Sequence, residues 1–84
     1  MGSFIIKVNC TRHQQPLRDI KVFISYRGFL SGVSTEYTNR EGNAIFRIES
    51  GAEWRGDIYI KHEKFSDNKF YDGRTLSFSV DCNH

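Results

Sequence analysis

Six stretches of this chain alternate apolar and polar residues with a period of two, and that repeat constrains the fold more than any other feature. It marks strands with one buried face, because successive side chains of an extended backbone point to opposite sides. Phe4-Ile5-Ile6-Lys7-Val8-Asn9-Cys10 places Phe4, Ile6, Val8 and Cys10 on one side. Between Asp19 and Arg27, residues Ile20, Val22, Ile24 and Tyr26 share a face, with Lys21, Phe23 and Ser25 opposite. Val33, Thr35 and Tyr37 share a face in the third run, and Ala44, Phe46 and Ile48 in the fourth, with Arg47 outside. Ile58 and Ile60 define a fifth, with Tyr59 and Lys61 outward. Leu76, Phe78 and Val80 define a sixth against Ser77, Ser79 and Asp81. No stretch carries an i, i+3, i+4, i+7 apolar stripe, and the β-branched and aromatic content argues against helix. The expectation is an all-β fold, a small Greek-key antiparallel β-sandwich of six to seven strands.

Turn chemistry separates the runs. Pro16 lacks an N–H donor and blocks a strand interior between Thr11 and Arg18. Gly28 and Gly32 bracket the second link. Asn39-Arg40-Glu41-Gly42-Asn43 predicts a tight hairpin with Gly42 in a left-handed conformation. Gly51 and Gly56 bracket Ala52-Glu53-Trp54-Arg55, which puts Trp54 and Arg55 at a loop tip. The longest connection, residues 62–73, carries Phe65, Phe70 and Tyr71 and is expected to fold back over an edge or contain a short irregular strand.

The 84 residues allow one domain, residues 1–84, and exclude doubly wound enzymes and (β/α)8 barrels. Seven Phe, four Tyr and one Trp let so short a chain bury enough apolar area to fold. No apolar run reaches the roughly 18 residues of a membrane span. Twelve Lys+Arg against ten Asp+Glu leave a net charge of +2, interspersed rather than blocked, which disfavours nucleic acid as a partner. No basic segment followed by an apolar core opens the chain, so no signal peptide is expected. The compartment stays open between cytoplasmic and an excised extracytoplasmic domain. Residues 1–3 fit a cloning remnant.

Several segments in order carry a family pattern. Ile6-Lys7-Val8, then Gln15-Pro16-Leu17, then Ile20-Lys21-Val22-Phe23-Ile24 resemble the opening of carboxypeptidase-regulatory-like domains, which share the transthyretin-like (prealbumin-like) sandwich; bacterial Ig-like repeats are similar. Tyr37-Thr38-Asn39-Arg40-Glu41-Gly42-Asn43-Ala44-Ile45-Phe46 resembles the family's Thr-Asp-x-x-Gly-x-(x)-Phe, with Asn39 replacing the usual Asp. Gly51 and Gly56-Asp57-Ile58-Tyr59-Ile60 match the glycine-then-strand step that follows. The resemblance runs from about Phe4 to Val80 and implies an Ig-type fold. It implies an accessory role: such modules space or stabilise neighbours, or offer a binding surface, and mostly lack active sites. Ser25-Tyr26-Arg27-Gly28 resembles the C-terminal signature of transthyretin-like hydroxyisourate hydrolases, but here it is internal and Tyr26 is expected in the core.

Cys10 and Cys82 end the first and last strands, and Phe4–Cys10 overlays Leu76–Cys82 residue by residue. In sandwiches of this type the first strand can pair in parallel with the last, which makes the two cysteines a disulfide candidate closing a loop worth about 4 kcal/mol. Two free thiols are the alternative. His13, His62 and His84 lack metal-ligand spacing, and no metal or other cofactor is expected. Asn39, Asp67, Asn68 and Asp72 offer oxygens for calcium without its loop spacing, and solubility explains them as well. No nucleophile–base–orienter set, phosphate loop or paired carboxylate is recognisable, so the chain is not expected to be an enzyme.

What remains is the outward face. Ile5, Phe23, Ile45 and Tyr59 point away from the core, interleaved with Lys7, Lys21, Arg47 and Lys61. Exposed rings beside cations are what protein-interface hot spots use. Trp54, Arg55, Phe23, Tyr59, Lys21 and Arg47 are the candidate binding residues. A protein partner or self-association is the expected mode, through this aromatic and basic face or an edge strand. Carbohydrate or another surface ligand on the same rings is the alternative, and a small transthyretin-like hydrolase ranks below both.

Overall fold

The computed structural model describes residues 2–12, 15–27, 32–49, 51–61 and 63–81. Seven strands follow in chain order: β1 (Gly2–Cys10), β2 (Lys21–Arg27), β3 (Gly32–Tyr37), β4 (Asn43–Ile48), β5 (Glu53–Ile60), β6 (Glu63–Tyr71) and β7 (Thr75–Val80). They form a β-sandwich, with three strands ordered β4-β1-β7 in one sheet and four ordered β3-β2-β5-β6 in the other. The β2–β3 and β5–β6 pairs are consecutive antiparallel neighbours; every other link changes sheet. No helix occurs among the described residues, and so none is long and apolar enough to cross a membrane.

Alternation decides the core. β1 lies between β4 and β7, and Phe4, Ile6, Val8 and Cys10 turn inward from it, all essentially without solvent contact. Val22, Ile24 and Tyr26 meet them from β2, with Ala44, Phe46 and Ile48 from β4, Ile58 and Ile60 from β5, and Val80 from β7. Burial of each large side chain stabilises by about 1.5–3 kcal/mol relative to exposure. At one end of the sandwich the filling is aromatic. Phe4 stacks on Phe46 at 5.3 Å and on Phe70 at 4.8 Å, and Tyr26 meets Phe70 and Trp54 edge-on.

β1 and β7 pair in parallel, with Ile6 opposite Leu76 and Cys10 opposite Val80. That register is two residues away from the overlay of Phe4 on Leu76. A slip of two leaves every side chain on its own face, so the alternation pattern does not discriminate between the two registers.

Four local expectations are corrected. Residues 63–71 are a nine-residue strand, β6, with a bulge: Gly56 pairs with Asn68 and Ile58 with Phe65, so Ser66 and Asp67 together oppose Asp57. Asp67 adopts φ +60° there. Gly56 does not end a loop but lies within β5 opposite Tyr26, where a Cβ would overlap the Ser25 carbonyl oxygen. Trp54 and Arg55 are therefore strand residues. The Asn39–Asn43 turn links β3 to β4 in different sheets and so is not a hairpin. Its chemistry is nonetheless the expected one: Gly42 has φ +80°, and Asn39 Oδ1 accepts the N–H groups of Glu41 and Asn43. Finally, Val33, Thr35 and Tyr37 do share a face, but it is the outer one.

Candidate functional site

Register assembles the outer face of the four-stranded sheet row by row. Thr35, Phe23, Tyr59 and Lys64 stand side by side on β3, β2, β5 and β6. Tyr37 neighbours Lys21 in the row beside them, Val33 neighbours Ser25 and Asp57 in the row on the other side, and Arg27, Arg55 and Lys69 form the next. Phe23 and Tyr59 lie 5.7 Å apart between ring centres, tilted by 58°, and the Lys64 ammonium sits 5.7 Å above the Tyr59 ring. The cross-strand ring pair and the cation over a ring each stabilise modestly. Val33 and Tyr37 are the most exposed large apolar residues described, at 64% and 61%.

Toward one end, charges satisfy each other. The Arg27 Nη2 nitrogen donates to both Asp57 carboxylate oxygens, at 2.9 and 2.8 Å, a charge-assisted contact of short length. Asp57 is nearly buried, and its carboxyl is held below the usual range by the Arg27 hydrogen bonds, against burial and with help from the Asp67 backbone N–H and Lys64. The Arg27 guanidinium is correspondingly raised above its ordinary value by Asp57. Asp67 and Lys64 stand farther off, 3.7 Å from Arg27 and 3.9 Å from Asp57. The β2–β5 register supplies the Arg27–Asp57 pair, and the β6 bulge adds Asp67 by turning an extra residue toward Asp57.

Toward the other end lies an open groove of about 390 Å³ lined by Asp19, Ile20, Lys21, Phe23, Tyr59 and Lys61. Two of its lining residues, Asp19 and Lys61, have φ of 59° and 56°, a conformation uncommon for non-glycine residues and best tolerated by Asp and Asn. Buried Thr38 holds the Asp19 side: its Oγ1 accepts the Ile20 N–H at 2.9 Å, and its carbonyl accepts the Asp19 N–H at 2.8 Å. The Lys61 ammonium donates to the Asp81 carbonyl at 3.0 Å.

Four of the six candidate binding residues, Lys21, Phe23, Arg55 and Tyr59, thus share one face. Trp54 does not. It turns inward and packs edge-on to Tyr26 at 5.0 Å, because in β5 it occupies an inward register position. Arg47 does not either: on β4, opposite Ser3, it belongs to the outer face of the three-stranded sheet, as do the paired Ile5 and Ile45. Arg27, Asp57 and Lys64 escape a reading by strand pattern alone, since the register of the β2–β5 pair joins the first two and that of the β5–β6 pair brings in the third. The calcium candidates lie apart, with Asn39 engaged in its own turn, Asn68 donating to the Phe65 carbonyl and Asp72 accepting the Ser3 N–H. Among the described residues no three His, Cys, Asp or Glu side chains gather as metal ligands. Cys10 is disulfide-bonded; Cys82, like His13, His62, His84 and Gly28, lies outside the described residues.

Comparison of the chain with known protein families, with curated proteins and with solved structures finds no match.

Proposed function

We propose that this chain is a non-catalytic β-sandwich module, of the accessory kind that carboxypeptidase-regulatory-like and transthyretin-like domains represent, and that it binds a partner protein through the outer face of its four-stranded sheet. The observation that carries this reading is the meeting of Phe23 and Tyr59 with Lys21, Arg55 and Lys64 on one regular surface. Rings give contact area at low entropic cost, and adjacent cations give orientation. The β3 edge extends the same surface, since Tyr37 and Val33 point outward from it and its six residue pairs with β2 run without a bulge. An edge of that kind accepts an added strand, whereas β6 opposes one with a bulge and with Lys64 and Lys69. The parallel β1–β7 pair is in keeping with the family resemblance.

The test is affinity capture with the native chain and with a Phe23→Ser/Tyr59→Ser variant whose circular dichroism matches it. The expected result is a set of proteins held by the native chain and released by the variant. Identical sets from both would overturn the reading. A glycan held by the native chain and lost by the variant would hand the face to carbohydrate.

A further inference from the structure

The groove at the Lys21 end of this face has lopsided chemistry. Lys21 and Lys61 would stand opposite each other if the β2–β5 ladder ran one pair beyond Val22–Ile60, and like charges so placed repel. No carboxylate neutralises them: among the described residues neither ammonium has an ion pair. Asp19, the acid that lines the groove among the described residues, is 3.7 Å from Arg18 instead. Lys61 gives one of its three donors to the Asp81 carbonyl, which anchors the ammonium and leaves two donors over. The wall between the lysines is made of the half-buried Phe23 and Tyr59 rings. The space, about 390 Å³, falls in the range of side-chain and small-ligand sites.

Resting on the interaction reading above, we propose that this groove receives an acidic, extended segment of the partner protein, seating a carboxylate between Lys21 and Lys61 and an adjacent aromatic or aliphatic side chain against Phe23 and Tyr59. Charge selects the segment: two cations without carboxylate partners favour an anion, and the rings favour an apolar neighbour to it. The Arg27 end does not compete, because the Asp57 carboxylate already neutralises that guanidinium.

The probe is a capped synthetic peptide, Gly-Glu-Phe-Asp-Gly, titrated into the intact protein while backbone amide shifts are followed by NMR. Its Gly-Lys-Phe-Lys-Gly counterpart and neutral maltohexaose serve as comparisons. Saturable shifts at Lys21, Phe23, Tyr59 and Lys61 are expected for the acidic peptide only, weakening at least about tenfold in Lys21→Glu and recovering in Lys21→Arg. Affinity should also fall with added salt. Absence of saturable shifts, equal binding of the basic peptide, or an unchanged Lys21→Glu variant would overturn the proposal. Shifts confined to the β3 edge or the Arg55 row would overturn it while leaving the interaction reading standing. Saturation by maltohexaose alone would overturn both.

Discussion

The two ends of one sheet face solve the same problem, cations on an open surface, in opposite ways. At the Arg27 end an extra residue in β6 brings Asp67 toward Asp57, and Asp57 accepts the Arg27 Nη2 on both of its oxygens. Below that network the core is aromatic, a run of ring contacts from Trp54 through Tyr26 and Phe70 to Phe4. At the Lys21 end the described residues hold no bulge and no carboxylate paired with Lys21 or Lys61. Aliphatic Val22 and Ile60 lie beneath, and the cations border a groove. A charge paired with a carboxylate inside the chain fixes the fold, while a charge left without one is free to recognise something outside it. The contrast teaches where to look for function: away from the best-satisfied charges.

The largest break in this contrast comes from the core beneath the closed end. Phe70→Ala should cost about 3–5 kcal/mol, since a fully buried ring that touches Phe4 and Tyr26 leaves a cavity. Calorimetry checks it, and a loss below 1 kcal/mol would mean that the aromatic cluster contributes little. At the groove end the corresponding fastening is covalent. Cys10→Ala should cost about 2–5 kcal/mol and make melting insensitive to reductant; a native chain that melts identically with and without reductant would contradict this.

Next in size is Asp57→Asn, which should lower the melting temperature at neutral pH. The Asp57 carboxyl has a folded value depressed below its ordinary 3.8, so its stabilising contribution is whole above that value and fades as pH falls through the depressed one. The gap between native and variant should therefore close on acidification. A gap constant down to strongly acid pH would show that Asp57 acts through packing rather than charge. The smallest effect belongs to Lys21→Ala: an exposed cation without an ion pair should change stability by no more than about 0.5 kcal/mol. A larger loss in denaturant titration would make Lys21 a structural residue and erase the difference between the ends.

Much of this was readable along the chain. Phe4, Ile6 and Val8, or Ala44, Phe46 and Ile48, are inward because a strand can bury only every second residue, and Gly42 marks its turn because few other residues tolerate φ +80°. β6 was hidden by its own irregularity. Phe65 and Phe70 are five apart, so a regular strand would send them to opposite faces; the bulge brings both to the core side, where Phe65 meets Phe78 at 4.5 Å. Trp54 is hard to place from sequence for a related reason, since Gly56 looks like a loop boundary and is instead a strand residue whose missing side chain clears the Ser25 carbonyl. Of the face itself, Phe23, Tyr59 and Lys21 were legible as outward residues, but Arg47 has the same local pattern and a different sheet.

By itself the sequence determined the class of fold, the inward residue of nearly every strand and the chemistry of the main turn, because alternation and backbone sterics act over a few neighbouring residues. Only the tertiary structure decided which strands share a sheet, which register they adopt and where the extra residue of β6 falls. Those choices depend on packing between segments far apart in the chain, and they alone place Arg27 on Asp57 while setting Lys21 and Lys61 on one groove with no ion pair among the described residues.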